Sequence, residues 1–246
     1  MDRVELAVRC LDLTSLSDED TDEGIRELCA RAMEPAVGVP HVAAVCVSPR
    51  FARFTSELLR GSGVRLAVAT GAFPSGVLSM ESRVREIGEA IDAGADEIDT
   101  VMDHRAFLEG RAAEVRTQLE ASREACGDRT MKVILETGAL PDAGAIRRAA
   151  ELAIDAGADF VKSSTGKVGP GVTSPAARAM CEAVRDSGRS VGVKLSGGVR
   201  TSEQALGHLS TVDEVLGSGW LTPERFRIGA SSLLVDLVRR LVEPTS

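Results

Sequence analysis

The feature that most constrains this chain is a regular alternation of two kinds of segment. Short runs rich in β-branched residues recur eight times, and segments with a helical period of apolar residues lie between them. The predicted strands cover residues 10–14, 42–47, 65–69, 96–101, 131–136, 159–163, 191–195 and 226–228. Eight such units in 246 residues, with no linker-like stretch, predict one (β/α)8 TIM barrel over residues 1–246 rather than an open doubly wound sheet.

An internal repeat supports the barrel and relates two of its strands. The sequence of residues 90–96 recurs identically at residues 153–159, an offset of 63 residues. We interpret the copies as equivalent helix-to-strand junctions two βα units apart. Because alternate barrel strands contribute side chains to the same layer, this offset places Asp99 level with Lys162. Residues 4–9 are expected to form a short N-terminal helix that closes the bottom of the barrel.

Composition narrows the classes of function. The net charge of −8, with no basic stretch, argues against nucleic-acid partners. No apolar run is long enough to cross a membrane, and the first residues are too polar for a signal peptide, so we expect a cytoplasmic protein. Five scattered cysteines without CxxC spacing, and three histidines without common spacing, favour neither a disulfide framework nor a metal site. No metal or other cofactor is expected.

Lysine is rare in this chain and occupies unusual positions. Only four of the 29 basic residues are lysines, and Lys132, Lys162 and Lys194 lie within predicted strands. A buried lysine can lose its proton in a protein, whereas arginine cannot. Alternate strand residues face the barrel interior, so Lys162 and Lys194 are expected to converge there.

Two like charges about 4 Å apart repel by about 4 kcal/mol at an effective dielectric constant near 20. That repulsion is enough to lower a lysine pKa from about 10.4 to about 7. A neutral amine facing a cleft is what imine formation with a carbonyl requires.

The same residues allow a structural interpretation. Each lysine could instead pair with an inward carboxylate such as Asp99, Asp12 or Glu136. We favour a catalytic role over this structural role, because one inward ion pair needs only one lysine and two, Lys162 and Lys194, are present. Asp99 and Asp12 could then carry protons through a water molecule. Glu136 and Lys132, which share a strand, are expected to have a supporting electrostatic role.

Glycine-containing loops follow the last two predicted strands. Residues 196–200 and residues 229–232 each precede a predicted helix. Glycines let backbone N–H groups approach an anion, and a helix N-terminus adds a favourable dipole. Loops after strands seven and eight are frequent phosphate sites in TIM barrels. Lys167, in the loop after strand six, could add a positive charge, so we predict a phosphate site here.

Several of these segments together resemble the deoxyribose-phosphate aldolases. The resemblance is carried by DFVKSSTGK (159–167), VKLSGGVR (193–200), ADEID (95–99), LDLT (11–14), VCV (45–47) and IGASS (228–232). It covers nearly the whole chain. It implies a class I aldolase that reversibly cleaves 2-deoxy-D-ribose 5-phosphate to D-glyceraldehyde 3-phosphate and acetaldehyde, without a metal.

The resemblance also implies roles for single residues. Lys162 would form the Schiff base, Lys194 would lower its pKa, and Asp99 would donate or accept a proton. The residues that would hold the phosphate are Gly197, Gly198, Ser231, Ser232 and Lys167. The residues that would line the cavity are Asp12, Thr14 and Cys46.

Some positions depart from the family pattern. Ala72 stands where the family more often has glycine before Phe-Pro, and Leu195–Ser196 replaces a more usual pair. Both departures are expected to affect which substrate is preferred more than the formation of the imine. The tail, residues 242–246, lacks the terminal tyrosine of some members, and the chain contains no tyrosine at all.

Two other functions fit the same residues. One is a transaldolase-like enzyme that acts on a different phosphorylated sugar. The other is a catalytically silent phosphosugar-binding barrel whose lysines only bind anions. A homodimer is compatible with the sequence, since two-fold dimers are the commonest soluble oligomers, although no apolar stripe identifies an interface.

Overall fold

Eight short segments of β-branched and small apolar residues form a closed parallel barrel. The computed structural model describes residues 2–243. Its strands are β1 (Leu11–Thr14), β2 (Ala44–Val47), β3 (Arg65–Thr70), β4 (Glu97–Val101), β5 (Thr130–Ile134), β6 (Phe160–Lys162), β7 (Gly192–Ser196) and β8 (Phe226–Ala230). Each strand pairs with the next, and β1 also pairs with β8. The predicted TIM barrel is confirmed, and its eighth strand extends two residues past the predicted end.

Helices cover the outer surface of the barrel. They are α1 (Arg3–Arg9), α2 (Asp22–Met33), α3 (Ala52–Leu58), α4 (Met80–Asp92), α5 (His104–Leu108), α6 (Ala112–Cys126), α7 (Ala143–Asp155), α8 (Ser174–Ser187), α9 (Ser202–Leu216) and α10 (Leu233–Val242). Three single-turn 3₁₀ helices span Pro49–Phe51, Thr137–Ala139 and Ser218–Trp220. In residues 2–243, no helix combines the length and the apolar character needed to cross a membrane.

Strand residues alternate between the helix layer and the barrel interior. Val133, Val161 and Val193 join the apolar core that the helices cover. The residues one position away on β5, β6 and β7 are lysines, and their side chains enter the interior instead. This period of two explains why charged residues are tolerated inside apolar runs.

The two copies of the internal repeat make the same contacts. Asp96 N donates to Leu66 O over 2.9 Å, and Asp159 N donates to Met131 O over 2.9 Å. The side chains agree too, because Asp96 Oδ2 accepts from Leu66 N and Asp159 Oδ2 accepts from Met131 N. The copies are therefore equivalent junctions leading into β4 and β6, as predicted.

The predicted N-terminal helix is present as α1, and its last residue, Arg9, borders a cavity at the lower end of the barrel. Helix α1 packs against α9 and α10 in the outer layer. The lower end of the interior is occupied by the ring of Phe160, with the Arg227 guanidinium 5.7 Å from the ring centroid. Gly192 makes room for this ring, since a Cβ there would lie 2.3 Å from it.

Candidate active site

Three interior lysines converge on one carboxylate. Asp99 Oδ1 lies 2.7 Å from Lys132 Nζ. Asp99 Oδ2 lies 2.7 Å from Lys162 Nζ and 2.6 Å from Lys194 Nζ. Lys162 and Lys194 are direct neighbours in the register of β6 and β7. The contact between Asp99 and Lys162 confirms the placement that the repeat predicted.

Two more carboxylates and an arginine extend this cluster toward the bottom of the barrel. Asp12 contacts Lys194 at 2.5 Å, Lys132 at 3.3 Å and Arg227 at 2.6 Å. Glu97 contacts Arg227 at 2.7 Å and Lys132 at 2.5 Å. All these side chains are nearly or fully buried. We call the seven groups the buried ionic network: Asp12, Glu97, Asp99, Lys132, Lys162, Lys194 and Arg227.

The charge of this network depends on the protonation of Lys162. If every basic group is protonated, the network holds four cations and three carboxylates. If Lys162 is neutral, the charges balance. A net charge in a low-dielectric interior is costly. The network therefore favours the unprotonated amine of Lys162.

Two neighbouring lysines consequently differ in their pKa values. Burial lowers the pKa of Lys162, and the positive charge of Lys194 lowers it further, against an opposing effect of Asp99. Burial also acts to lower the pKa of Lys194, but Asp12 and Asp99 outweigh it and raise that pKa. Both lysines contact Asp99, and of the two it is Lys162 whose pKa is lowered toward the neutral amine.

Asp99 remains ionised between the lysines. Burial acts to raise its pKa, but Lys132, Lys162 and Lys194 together hold it well below its usual value. An ionised carboxylate next to a neutral amine and an ammonium can accept or relay a proton.

A cleft of about 310 Å³ opens at the C-terminal ends of the strands. Its wall contains Thr14, Lys167, Gly197, Gly198, Arg200, Ser231 and further residues of the same loops. Of the buried ionic network, Lys162 is the one member that lines this cleft. A carbonyl compound that enters the cleft therefore meets Lys162 before the other interior lysines.

The wall of the cleft suits an anion. Gly197 and Gly198 have φ values of 91° and 79°, in the region that favours glycine. A Cβ at Gly197 would lie 2.9 Å from Gly171 Cα, so two loops meet closely here. The N-terminus of α10 follows Ser231, and no side chain caps it. Lys167 and Arg200 add positive charge.

The predicted ligands do not all lie in the wall. Ser232 is the N-cap of α10, beside the cleft rather than in it. Asp12 and Cys46 lie beneath the cleft and are fully buried, with Cys46 Sγ 3.9 Å from Asp99 Oδ2. Burial, followed by the charge of Asp99, raises the pKa of the Cys46 thiol. Contact of Asp12 and Cys46 with a bound ligand stays a prediction.

Glu136 differs from its predicted role. It lies two residues past the end of β5 and has a left-handed backbone, with φ 54°. The carboxylates that contact Lys132 are instead Asp12, Glu97 and Asp99. Glu136 Oε2 accepts hydrogen bonds from Thr165 Oγ1 at 2.5 Å and from Thr165 N at 3.3 Å. Thr165 Oγ1 in turn accepts from Lys167 N at 3.1 Å. Glu136 therefore supports the Lys167 loop and does not belong to the buried ionic network.

Sequence reasoning missed Arg200, Glu97 and Arg227. Arg200 closes the loop after β7 and could have been noticed as a second cation in that loop. Glu97 and Arg227 both lie inside apolar strands at inward positions, and this alternation was the available signal. Across residues 2–243 no cluster of histidine, cysteine or carboxylate ligands could hold a metal ion.

Comparison with known proteins agrees with this geometry. A family model described as DeoC/LacD family aldolase matches residues 6–234. The chain belongs to the DeoC/LacD family of aldolases. The buried ionic network and the cleft therefore lie in the barrel of a family whose members are aldolases.

Solved structures resemble this DeoC/LacD aldolase over nearly its whole length. A Coccidioides immitis protein with the provisional name deoxyribose-phosphate aldolase is 32% identical, with 98% of this chain and 88% of that chain covered and a TM-score of 0.82. A Toxoplasma gondii ME49 protein with the same provisional name is 25% identical, with coverages of 96% and 95% and a TM-score of 0.87. Deoxyribose phosphate aldolase from Aeropyrum pernix, described as tetrameric, is 27% identical, with coverages of 98% and 93% and a TM-score of 0.77.

Proposed function

We propose that this protein is a class I aldolase that reversibly cleaves 2-deoxy-D-ribose 5-phosphate to D-glyceraldehyde 3-phosphate and acetaldehyde. One observation carries the proposal. Lys162 reaches the cleft, has a lowered pKa, and contacts Asp99 beside Lys194. The names of the structural relatives support the choice of substrate.

Imine formation begins the proposed reaction. The neutral Nζ of Lys162 attacks the C1 aldehyde of the open-chain sugar and forms a carbinolamine. Loss of water then gives an iminium ion, and this step requires a proton on the departing oxygen. Lys194, which is held protonated, and Asp99 are the adjacent groups that can supply and relay that proton.

Carbon–carbon cleavage follows from the iminium. A base removes the proton of the C3 hydroxyl, the C2–C3 bond breaks, and its electron pair moves to the iminium nitrogen. The products of this step are D-glyceraldehyde 3-phosphate and an enamine on Lys162. Protonation of the enamine at C2 restores an iminium, and water releases acetaldehyde and the free amine. Synthesis is the same sequence reversed.

The phosphate positions the reacting carbons. Lys167, Arg200 and the glycine N–H groups would hold it at the mouth, while Lys162 holds C1 deeper in the cleft. Fixing both ends of the sugar reduces the entropy cost of reaching the transition state. Ser231 and the start of α10 add N–H and hydroxyl donors to the same anion.

Reductive trapping tests the proposal. Sodium borohydride added with acetaldehyde should leave an N-ethyl group on Lys162, detected by intact mass and peptide mapping. Lys162→Arg should abolish the adduct, and Lys167→Arg is the matched control because it changes a lysine of the same cleft outside the network. An adduct on Lys194 would reverse the two lysine roles. Sugar-phosphate binding without any adduct would favour the silent binding barrel.

A substrate panel tests the choice of sugar. Cleavage of 2-deoxy-D-ribose 5-phosphate should proceed with much higher kcat/KM than cleavage of other phosphorylated sugars. A preference for another phosphorylated sugar, together with an intact Lys162 adduct, would support the transaldolase-like alternative.

A further inference from the structure

The lowest layer of the buried ionic network takes no direct part in the proposed reaction. Arg227 and Glu97 lie at the closed end of the barrel, where Arg227 Nη2 is 2.7 Å from Glu97 Oε1. The side chain of Arg65, which is 61% exposed, approaches Glu97 only to 3.9 Å. An apolar pair could close a barrel end without desolvating two charges. The buried charges of Glu97 and Arg227 are therefore expected to have a function beyond packing.

Both members of this pair are connected to the site above them. Arg227 is connected through the carboxylate of Asp12, and Glu97 is connected through Lys132. Arg227 Nη1 lies 2.6 Å from Asp12 Oδ1, and Asp12 Oδ2 lies 2.5 Å from Lys194 Nζ. Glu97 Oε2 lies 2.5 Å from Lys132 Nζ. Lys132 and Lys194 then meet at Asp99, which contacts Lys162.

We propose that Glu97 and Arg227 are positioning residues that set how much of Lys162 is unprotonated, and hence the pH range in which the imine forms. They act through charge, because with both present the network is neutral when Lys162 is neutral. This inference rests on the proposed function, since it assigns the imine to Lys162.

The charge balance predicts opposite effects for the two residues. Without the negative charge of Glu97, the network is positive even when Lys162 is neutral, so protonation of Lys162 becomes harder. Without the positive charge of Arg227, the network is negative, so protonation becomes easier. If both charges are removed, the balance returns. A purely structural role would not give effects of opposite sign that cancel.

The other groups that face Lys162 stay constant in this comparison. They are Asp99 from β4, Lys194 from β7, the protonated thiol of Cys46 from β2, and Lys132 from β5 through Asp99. Lys167 and Arg200 belong to the same cleft at its mouth and are exposed. Only the lowest layer changes between the variants.

The experiment uses the full chain and the variants Glu97→Gln, Arg227→Met and the double variant. The rate at which cyanoborohydride traps the acetaldehyde imine is measured against pH. Competitive acetylation of amines by acetic anhydride, with peptide mapping, reports the unprotonated fraction of Lys162 without any turnover. The profile of Glu97→Gln should shift to lower pH and that of Arg227→Met to higher pH, each on the order of one pH unit. The double variant should return to within a few tenths of a unit of the wild type.

Arg227→Lys separates charge from geometry. It keeps the positive charge but loses the two-pronged contact with Glu97 and Asp12, so its profile should stay where the wild type has it. If Arg227→Met does not fold, the predicted downward shift of Glu97→Gln and the unshifted Arg227→Lys still decide the matter.

Equal shifts in one direction, or no shift in Glu97→Gln, would overturn the inference. A wild-type protein that gives no adduct on Lys162 would instead refute the proposed function. Acetylation would still show in that case whether the lowest layer controls the protonation of Lys162.

Discussion

The buried ionic network and the cleft above it use the same kinds of side chain under opposite conditions. Inside the barrel, Lys132 and Lys194 are fully buried, and each contacts two or more carboxylates. In the cleft, Lys167 and Arg200 are exposed to solvent. Water screens the cleft charges, whereas the interior charges act on one another strongly. Depth therefore decides whether a cation binds an anion or tunes an amine.

The largest effect is expected at Lys162, where the buried ionic network meets the cleft. Lys162→Met should lower kcat by three orders of magnitude or more, because no other amine of the network lines the cleft. The fold should be unharmed, since the remaining network is neutral. Steady-state kinetics and urea unfolding check both expectations. Activity that survives this substitution would show that another group forms the covalent bond.

Lys194→Met should disturb both chemistry and stability. Asp12 and Asp99 each lose one buried partner. Asp12 keeps Lys132 and Arg227, and Asp99 keeps Lys132 and Lys162. The loss of stability should therefore stay below about 3 to 5 kcal/mol, the cost of a fully unpaired buried charge. The pKa of Lys162 should also rise, so activity at neutral pH should fall by about 100-fold and recover partly at higher pH. Urea unfolding and a pH–rate profile measure these effects. Arg178→Met, which removes a cation from an exposed ion pair, is the control and should change stability by less than about 1 kcal/mol.

Low pH should destabilise the protein because it protonates the interior carboxylates. The pKa values of Asp12, Glu97 and Asp99 are lowered in the folded protein. Their stabilisation is fully present above the unfolded pKa of about 4 and is lost progressively as the pH falls below that value toward the folded pKa, by at most about 1.4 kcal/mol per pH unit for each carboxylate. Urea midpoints between pH 7 and pH 3 should therefore fall steeply.

A matched pair of variants tests the source of the acid sensitivity. Asp99→Asn should flatten the dependence of the urea midpoint on pH, because it removes one buried titrating group. Asp186→Asn makes the same chemical change at an exposed carboxylate, where water screens the ion pairs with Arg147 and Arg185. It should leave the dependence nearly unchanged. Equal slopes for the two variants would place the acid sensitivity at the surface.

In the cleft, single charges should have moderate effects that are confined to the phosphate. Arg200→Met should raise KM for 2-deoxy-D-ribose 5-phosphate by about tenfold, as expected for one partly screened charge. Trapping of acetaldehyde, which has no phosphate, should not change. An equal loss with acetaldehyde would mean that Arg200 supports the fold of the site rather than the anion.

The smallest effect is expected beneath the cleft wall. Glu136→Ala removes the acceptor of Thr165 and loosens the loop that carries Lys167. KM for the phosphorylated sugar should rise a few-fold, while the pH profile of imine formation should not move. Glu136→Gln keeps one acceptor oxygen and should restore most of the loss. A shifted profile would instead connect Glu136 with the buried ionic network.

The sequence was sufficient for the architecture and for part of the site. The strands follow from β-branched runs, and the proximity of Asp99 and Lys162 follows from the repeat together with the period of two. These relations depend on local pattern and on the symmetry of the barrel. The glycine-containing loops that line the cleft were recognisable because glycines and helix starts are local features too.

The lower half of the site was not predictable in the same way. Arg227 and Glu97 are 130 residues apart in the chain, and the sequence of neither strand alone identifies the residue with which it pairs. The depth of Asp12 and Cys46 also depends on the stagger of neighbouring strands. Strand alternation did not apply to Glu136, because β5 ends at Ile134 and the backbone of Glu136 is left-handed. Long-range register and single backbone angles therefore account for the differences.

The ring of Phe160 beside Gly192 has a kinetic consequence. Because this ring and the Arg227–Glu97 pair close the lower end, the proposed substrate and both of its cleavage products would have to pass through the upper mouth. In the proposed reaction, the phosphorylated fragment would lie nearest that mouth, and the two-carbon fragment would remain bonded to Lys162 below it. Release should then be ordered, with the triose phosphate leaving first. Product-inhibition patterns should show acetaldehyde as the last product to dissociate.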